Sequence, residues 1–196
     1  MPIRPVFAIL KAEGGDSVEN ETKFIELVLY ISQKCASDPM FGAIKLNKVL
    51  FYSDFLFFGR TGEPITGFEY QRLRNGPAPR KLLPVREKMI RDRILALQEV
   101  PLKSGKIQKR TVNLRPPNLR IFTGDEIALV DDVIDALSDC DAQTVSDLSH
   151  RTVGWQIAAE GETISYSTVF LSNEPLTDAE LLRGTEIANQ ITRSAA

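Results

Sequence analysis

Lys45-Leu-Asn-Lys48-Val-Leu-Phe-Tyr-Ser-Asp54-Phe-Leu56 is the stretch on which the fold turns. Leu46, Val49, Leu50 and Phe57 recur with helical spacing, and neighbouring aromatics carry the apolar surface around most of the girth. The pattern predicts a central buried helix over about Ala43 to Gly59, stopped by Gly59 and the Thr61-Gly62-Glu63-Pro64 turn. Asp54 sits among these aromatics and is costly to bury unless paired or hydrogen-bonded. Lys48, six residues earlier, lies about 240° away around the helix and is a poor partner. The expected partners of Asp54 are backbone amides of the Gly62–Gly67 or Asn75–Pro79 turns, or an arginine.

Working outward, Phe24, Leu27, Val28, Ile31 and Cys35 give an apolar face to a helix over Glu21 to Ala36, ended by Asp38-Pro39. Cys35 on that face reads as a small buried hydrophobe. Downstream, Ile65 to Leu73 reads as extended, and Asn75-Gly76-Pro77-Ala78-Pro79 as a rigid turn. Arg80 to Leu97 reads as a helix with a basic face, and Lys106 to Leu114 as a strand or hairpin arm. Thr123-x-x-Glu126 fits a capping box that opens the next helix, and Thr177-x-x-Glu180 opens a final amphipathic one. Between them lie a short helix from Asp141 to His150 and a loop carrying Trp155. Ile164 to Leu171 fits a strand or a short helix equally well. Residues 1–20 read as a flexible arm, and 21–196 as one domain. The fold class is mainly α, a compact helical domain with a small β-hairpin or short antiparallel sheet element.

At 196 residues, with 43% hydrophobic and 26% charged residues, the composition is that of an ordinary globular chain. No apolar run is long enough to span a bilayer, and Met1 to Leu10 lacks the apolar core of a secretory signal. Cys35 and Cys140 are far apart, which argues against a disulfide framework or zinc site and for the cytoplasm. The net charge of −2 hides an asymmetry. From Arg72 to Arg120 there are 14 basic residues against three acidic ones, and from Ile121 to Ala196 three against 14. Either the two blocks attract each other within the fold, or the basic one meets an acidic partner or polyanion.

Little in the sequence supports catalysis. The chain has one histidine, His150, and its neighbour Ser149 would point about 100° away on a helix. A triad built on another serine stays open, yet no G-x-S-x-G elbow, P-loop, dinucleotide fingerprint or metal-binding pattern is present. No enzyme, catalytic residue, metal ligand or cofactor is predicted. Nucleic-acid binding through segment 72–120 is the alternative reading. It is weakened by the lack of any aromatic between Arg80 and Arg120 to stack on bases.

The run from Lys45 to Leu56, then Thr61-Gly62-x-Pro64-Ile65-Thr66-Gly67-x-x-Tyr70 and Asn75-Gly76-Pro77-x-Pro79, resembles the Panacea domain of SocA-like antitoxins. Leu148-Ser149-His150, with Trp155 five residues on, adds a fourth element, so the likeness covers about Glu21 to Leu171. The resemblance implies a mainly helical domain that neutralises a cognate toxin by protein–protein contact. It acts by sequestration or as an adaptor that delivers the toxin to a protease. The family carries no single agreed active site, so no catalytic residue transfers. Within the shared motifs, Lys45, Lys48, Asp54, Gly67, Tyr70, Asn75, Gly76, Pro77, Pro79, His150 and Trp155 read as structural. Arg72, Arg74, Arg80 and Arg86 read as exposed cations suited to partner contact.

Overall fold

The computed structural model describes residues 18–102, 104–175 and 177–194. The expected arm lies outside this range as far as residue 17, while residues 18–20 open the first helix, α1 (Val18–Lys34). Phe24, Leu27, Val28 and Ile31 of α1 are fully buried. They pack against α2 (Ala43–Thr61), whose buried Leu46, Val49, Leu50, Phe55 and Phe58 make it the centre of the core. Each such side chain stabilises the fold by about 1.5–3 kcal/mol when fully buried.

Gly59 does not stop α2. It stays within the helix, where its missing Cβ makes room for Val169. The stop is Gly62, at φ 84°, whose N–H donates to the Phe58 carbonyl at 2.8 Å. That left-handed conformation strongly favours glycine.

Of the extended run that follows, only β1 (Tyr70–Gln71) is a strand. It lies between β2 (Ala78–Pro79) and β5 (Thr163–Ile164), antiparallel to both, with Tyr70 opposite Pro79 and Ile164. The Asn75–Pro79 turn therefore belongs to a small sheet closed from far along the chain.

Helix α3 covers Leu82–Arg91, six residues short of the expected end. Arg93 adopts φ 55°, and Ile94 and Arg93 N–H donate to the Met89 and Ile90 carbonyls. This is a Schellman stop with arginine in the place glycine usually takes. Leu95 to Leu97, expected to be helical, thus begin β3 (Leu95–Pro101), which pairs antiparallel with β4 (Ile107–Asn113).

The Thr123–Glu126 capping box forms with both bonds and opens α4 (Gly124–Ala136). Next come α5 (Ala142–His150), capped by Asp141, and α6 (Val153–Ile157), so Trp155 lies on a short helix and not in a loop. Residues 164–171 resolve into the end of β5 and a 3₁₀ turn at Tyr166–Phe170. The last helix, α7 (Asp178–Ser194), follows Thr177, whose side chain and N–H bond Glu180. From Asp178 to Arg193 every residue of α7 is exposed. The described residues are mainly α with two small antiparallel sheets. No helix among the described residues is long and apolar enough to cross a membrane.

Candidate functional site

Of the motif residues, Lys48, Gly76, Pro77, Ser149 and Trp155 converge on one turn, Leu73 to Pro77. The Pro77 carbonyl is buried, where an acceptor needs a donor, and three of the turn's carbonyls take side-chain donors. Three helices supply them. Lys48 of α2 donates to the Pro77 carbonyl (2.8 Å), Ser146 of α5 to that of Asn75 (3.0 Å), and the Trp155 indole of α6 to that of Leu73 (3.0 Å). Gly76 holds φ 93° at the centre, and its N–H closes the turn onto the Leu73 carbonyl. A Cβ there would stand 2.2 Å from Ser149 Oγ and 2.7 Å from Lys48 Nζ. Lys48 is 1% exposed, and burial pushes its pKa down to about 7.

Beside the turn, the His150 ring stacks on Trp155 at 4.0 Å, and the Arg72 guanidinium lies 4.4 Å from the same indole. This cation–aromatic contact fixes Arg72 by about 0.5–2 kcal/mol. Ser149 is fully buried, its hydroxyl donates to the Ser146 carbonyl one turn back in α5, and it lies against Gly76 of the turn. Among the described residues, no group of His, Cys, Asp and Glu could hold a metal ion.

A second cluster lies deeper. Asp54 is fully buried and accepts from the Thr66 amide (2.7 Å), the Thr66 hydroxyl (2.6 Å) and the Tyr70 hydroxyl (2.7 Å). The amide belongs to the Gly62–Gly67 turn; the two hydroxyls are partners that backbone reasoning does not foresee. Burial pushes the Asp54 carboxyl up, and these hydrogen bonds pull against it. Gly67, at φ 69°, follows Thr66 and turns the chain toward Tyr70. Lys45 is 2% exposed and ties the Asp38 carboxylate (2.7 Å) to the Ser138 carbonyl (2.8 Å), joining the α1–α2 and α4–α5 connections. Cys35 is buried and Cys140 unpaired, and burial pushes the Cys35 thiol up to about 11.

Of the four cations expected on the surface, only Arg74 is exposed; Arg72, Arg80 and Arg86 are half-buried. Arg80 bonds the Gly161 carbonyl (2.9 Å) and Thr163 hydroxyl (2.8 Å) and lies 3.4 Å from Glu69, so it braces the β5 end of the sheet. The long aliphatic stems of such cations readily cover apolar surface, which a charge count cannot reveal.

The ion pairs also separate the charge blocks. Glu126 and Asp131 of the acidic third pair with Lys23 and Lys34 of α1. Arg80, Lys88, Lys109 and Arg115 of the basic block pair with Glu69, Glu21, Glu99 and Glu26. None of these pairs joins the basic block to the acidic third. On either side of Arg74 and Asn75 opens a cavity, one of about 810 Å³ toward the β3–β4 hairpin and one of about 290 Å³ toward Leu73 and Glu160. The hairpin tip was not singled out by sequence reasoning, because the 61% exposure of Ile107 there appears only in the structure.

A helical core gripping a glycine-proline turn, with a cation-rimmed hollow beside it, defines the class: a mainly α domain with small antiparallel sheet elements. A family model described as antitoxin SocA-like, Panacea domain, matches residues 46–156, more than half of the chain, and the chain belongs to that family. The match spans the α2 motif, the Asn75–Pro79 turn and the His150–Trp155 element. No curated protein and no solved structure matches the chain.

Proposed function

We propose that this chain is an antitoxin that neutralises a toxin protein by direct contact, without catalysis, in the cytoplasm. The observation that carries the reading is the antitoxin family match across the core and the gripped turn. The two free cysteines fit a reducing compartment. Sequestration is the simpler mode, and delivery to a protease would use a second surface.

The test is co-expression with the product of the adjacent gene. Growth inhibited by that product alone should be rescued by this chain, and the two should copurify. A neighbour that is harmless alone, or toxic but neither rescued nor copurified, overturns the reading. A DNA or RNA affinity that falls steeply with added salt would instead favour a nucleic-acid-binding regulator using segment 72–120.

A further inference from the structure

The larger cavity lies between the start of α2, the tip of the β3–β4 hairpin and the first turns of α5. Its charged lining is one-sided. Arg74 and Lys106 are exposed and in no ion pair among the described residues, and Lys109 has only Glu99 at 4.0 Å. Lys45 reaches the wall but is already bound to Asp38 and Ser138. The acid on this wall, Asp141, is engaged as the cap of α5, where its carboxylate accepts the Thr144 amide at 2.8 Å.

The floor is apolar, formed by Ile44 with the exposed Ile107 and Leu102. Three buried polar atoms also lack a protein partner among the described residues: His150 Nε2 and Gln108 Oε1 on the larger cavity and Asn47 Oδ1 on the smaller. A lone inorganic anion would satisfy the cations and leave Ile44, Leu102 and Ile107 in water. A purely apolar segment would bury Arg74 and Lys106 uncompensated. An occupant that satisfies both carries carboxylates and aliphatic or aromatic side chains on one stretch of chain.

We infer that the hollow flanking Arg74 is the docking site for an acidic, apolar peptide segment of the protein partner. This rests on the reading that the chain binds a protein toxin, and it names the surface used. The segment places carboxylates against Arg74 and Lys106 and apolar side chains against Ile44 and Ile107. Electrostatic complementarity of this kind sets partner choice and encounter rate.

The test uses the full chain and the product of the adjacent gene, with affinity read by calorimetry. Arg74→Glu combined with Lys106→Glu should weaken binding at least about tenfold with an unchanged melting temperature. Both side chains are exposed, so folding should tolerate the change. Arg60→Glu, an equally exposed reversal at the far end of α2, should leave binding within about twofold. Wild-type binding with an unaffected double variant overturns the docking site and leaves the antitoxin reading standing. An equal loss in Arg60→Glu also overturns it, because net charge alone would then explain the effect. Inorganic phosphate that displaces the partner at micromolar concentration would make this a small-anion site and overturn the inference too. If the wild-type chain binds no adjacent gene product, the antitoxin reading fails first and the docking site with it.

Discussion

Asp54 and Lys48 are two ionisable side chains on one buried helix, and their surroundings treat them differently. Asp54 has three donors, so removing it orphans the Thr66 amide and two hydroxyls. Asp54→Ala should cost about 1–3 kcal/mol. Asp54→Asn should cost less, because its carbonyl keeps the amide bond and the hydroxyls can rotate to accept. Chemical denaturation reads both, and an Asp54→Ala chain as stable as wild type would contradict the assignment. Lys48 is burdened by burial, which holds its pKa at about 7 in the folded chain against 10.5 unfolded. Between those values the unfolded chain binds more protons, so this group makes stability rise with pH, by at most about 1.4 kcal/mol per unit. Below pH 7 both states are protonated and its contribution is flat. Unfolding free energies of wild type and Lys48→Met, compared from about pH 7 to 8.5, should show a steeper rise in wild type. Parallel curves would mean that Lys48 keeps its charge when folded.

The clearest instruction at the level of elements is how each helix begins and ends. Thr123 and Glu126 satisfy each other's amides as their spacing requires, so that start was legible locally. The end of α3 was not. Its stop depends on Arg93 in the left-handed region, a residue that carries none of the glycine signal. Arg93→Gly should stabilise the fold by about 0.5–1 kcal/mol, since glycine takes that conformation without the Cβ penalty. A lower midpoint in a denaturant series would show that the Arg93 side chain contributes more than its backbone costs. The same stop turns the chain into β3, the partner strand of β4, whose Ile107, Gln108 and Lys109 line the proposed docking hollow.

Across the whole molecule, packing is concentrated between α1 and the 3₁₀ turn at Tyr166–Phe170, while α7 stands exposed. Removing residues 176–196 should therefore shift the melting temperature by no more than about 2 °C, the equivalent of roughly 0.5–1 kcal/mol in a chain of this size. A larger fall would place α7 against the body of the fold. The charge blocks also resolve at this scale. Their ion pairs run to α1 and to local acids, leaving Arg74 and Lys106 unpaired among the described residues in a chain of small net charge.

The sequence by itself determined the central helix, the Thr123–Glu126 capping box, the rigid glycine-proline turn and the family, because each rests on periodicity, local bonding or an ordered run of residues. Only the tertiary structure decided what the motifs are for. Lys48, Ser146 and Trp155 lie 29, 71 and 82 residues from the carbonyls they grip on one turn. Which carbonyl meets which donor depends on where whole helices settle, and no local pattern records that. Exposure behaved the same way. Four arginines looked alike in sequence, yet three lie against aromatic, carbonyl or apolar surroundings and one, Arg74, faces water. Burial of a long cationic side chain is set by the surface its neighbours leave for its stem, which is a property of packing and not of the residue.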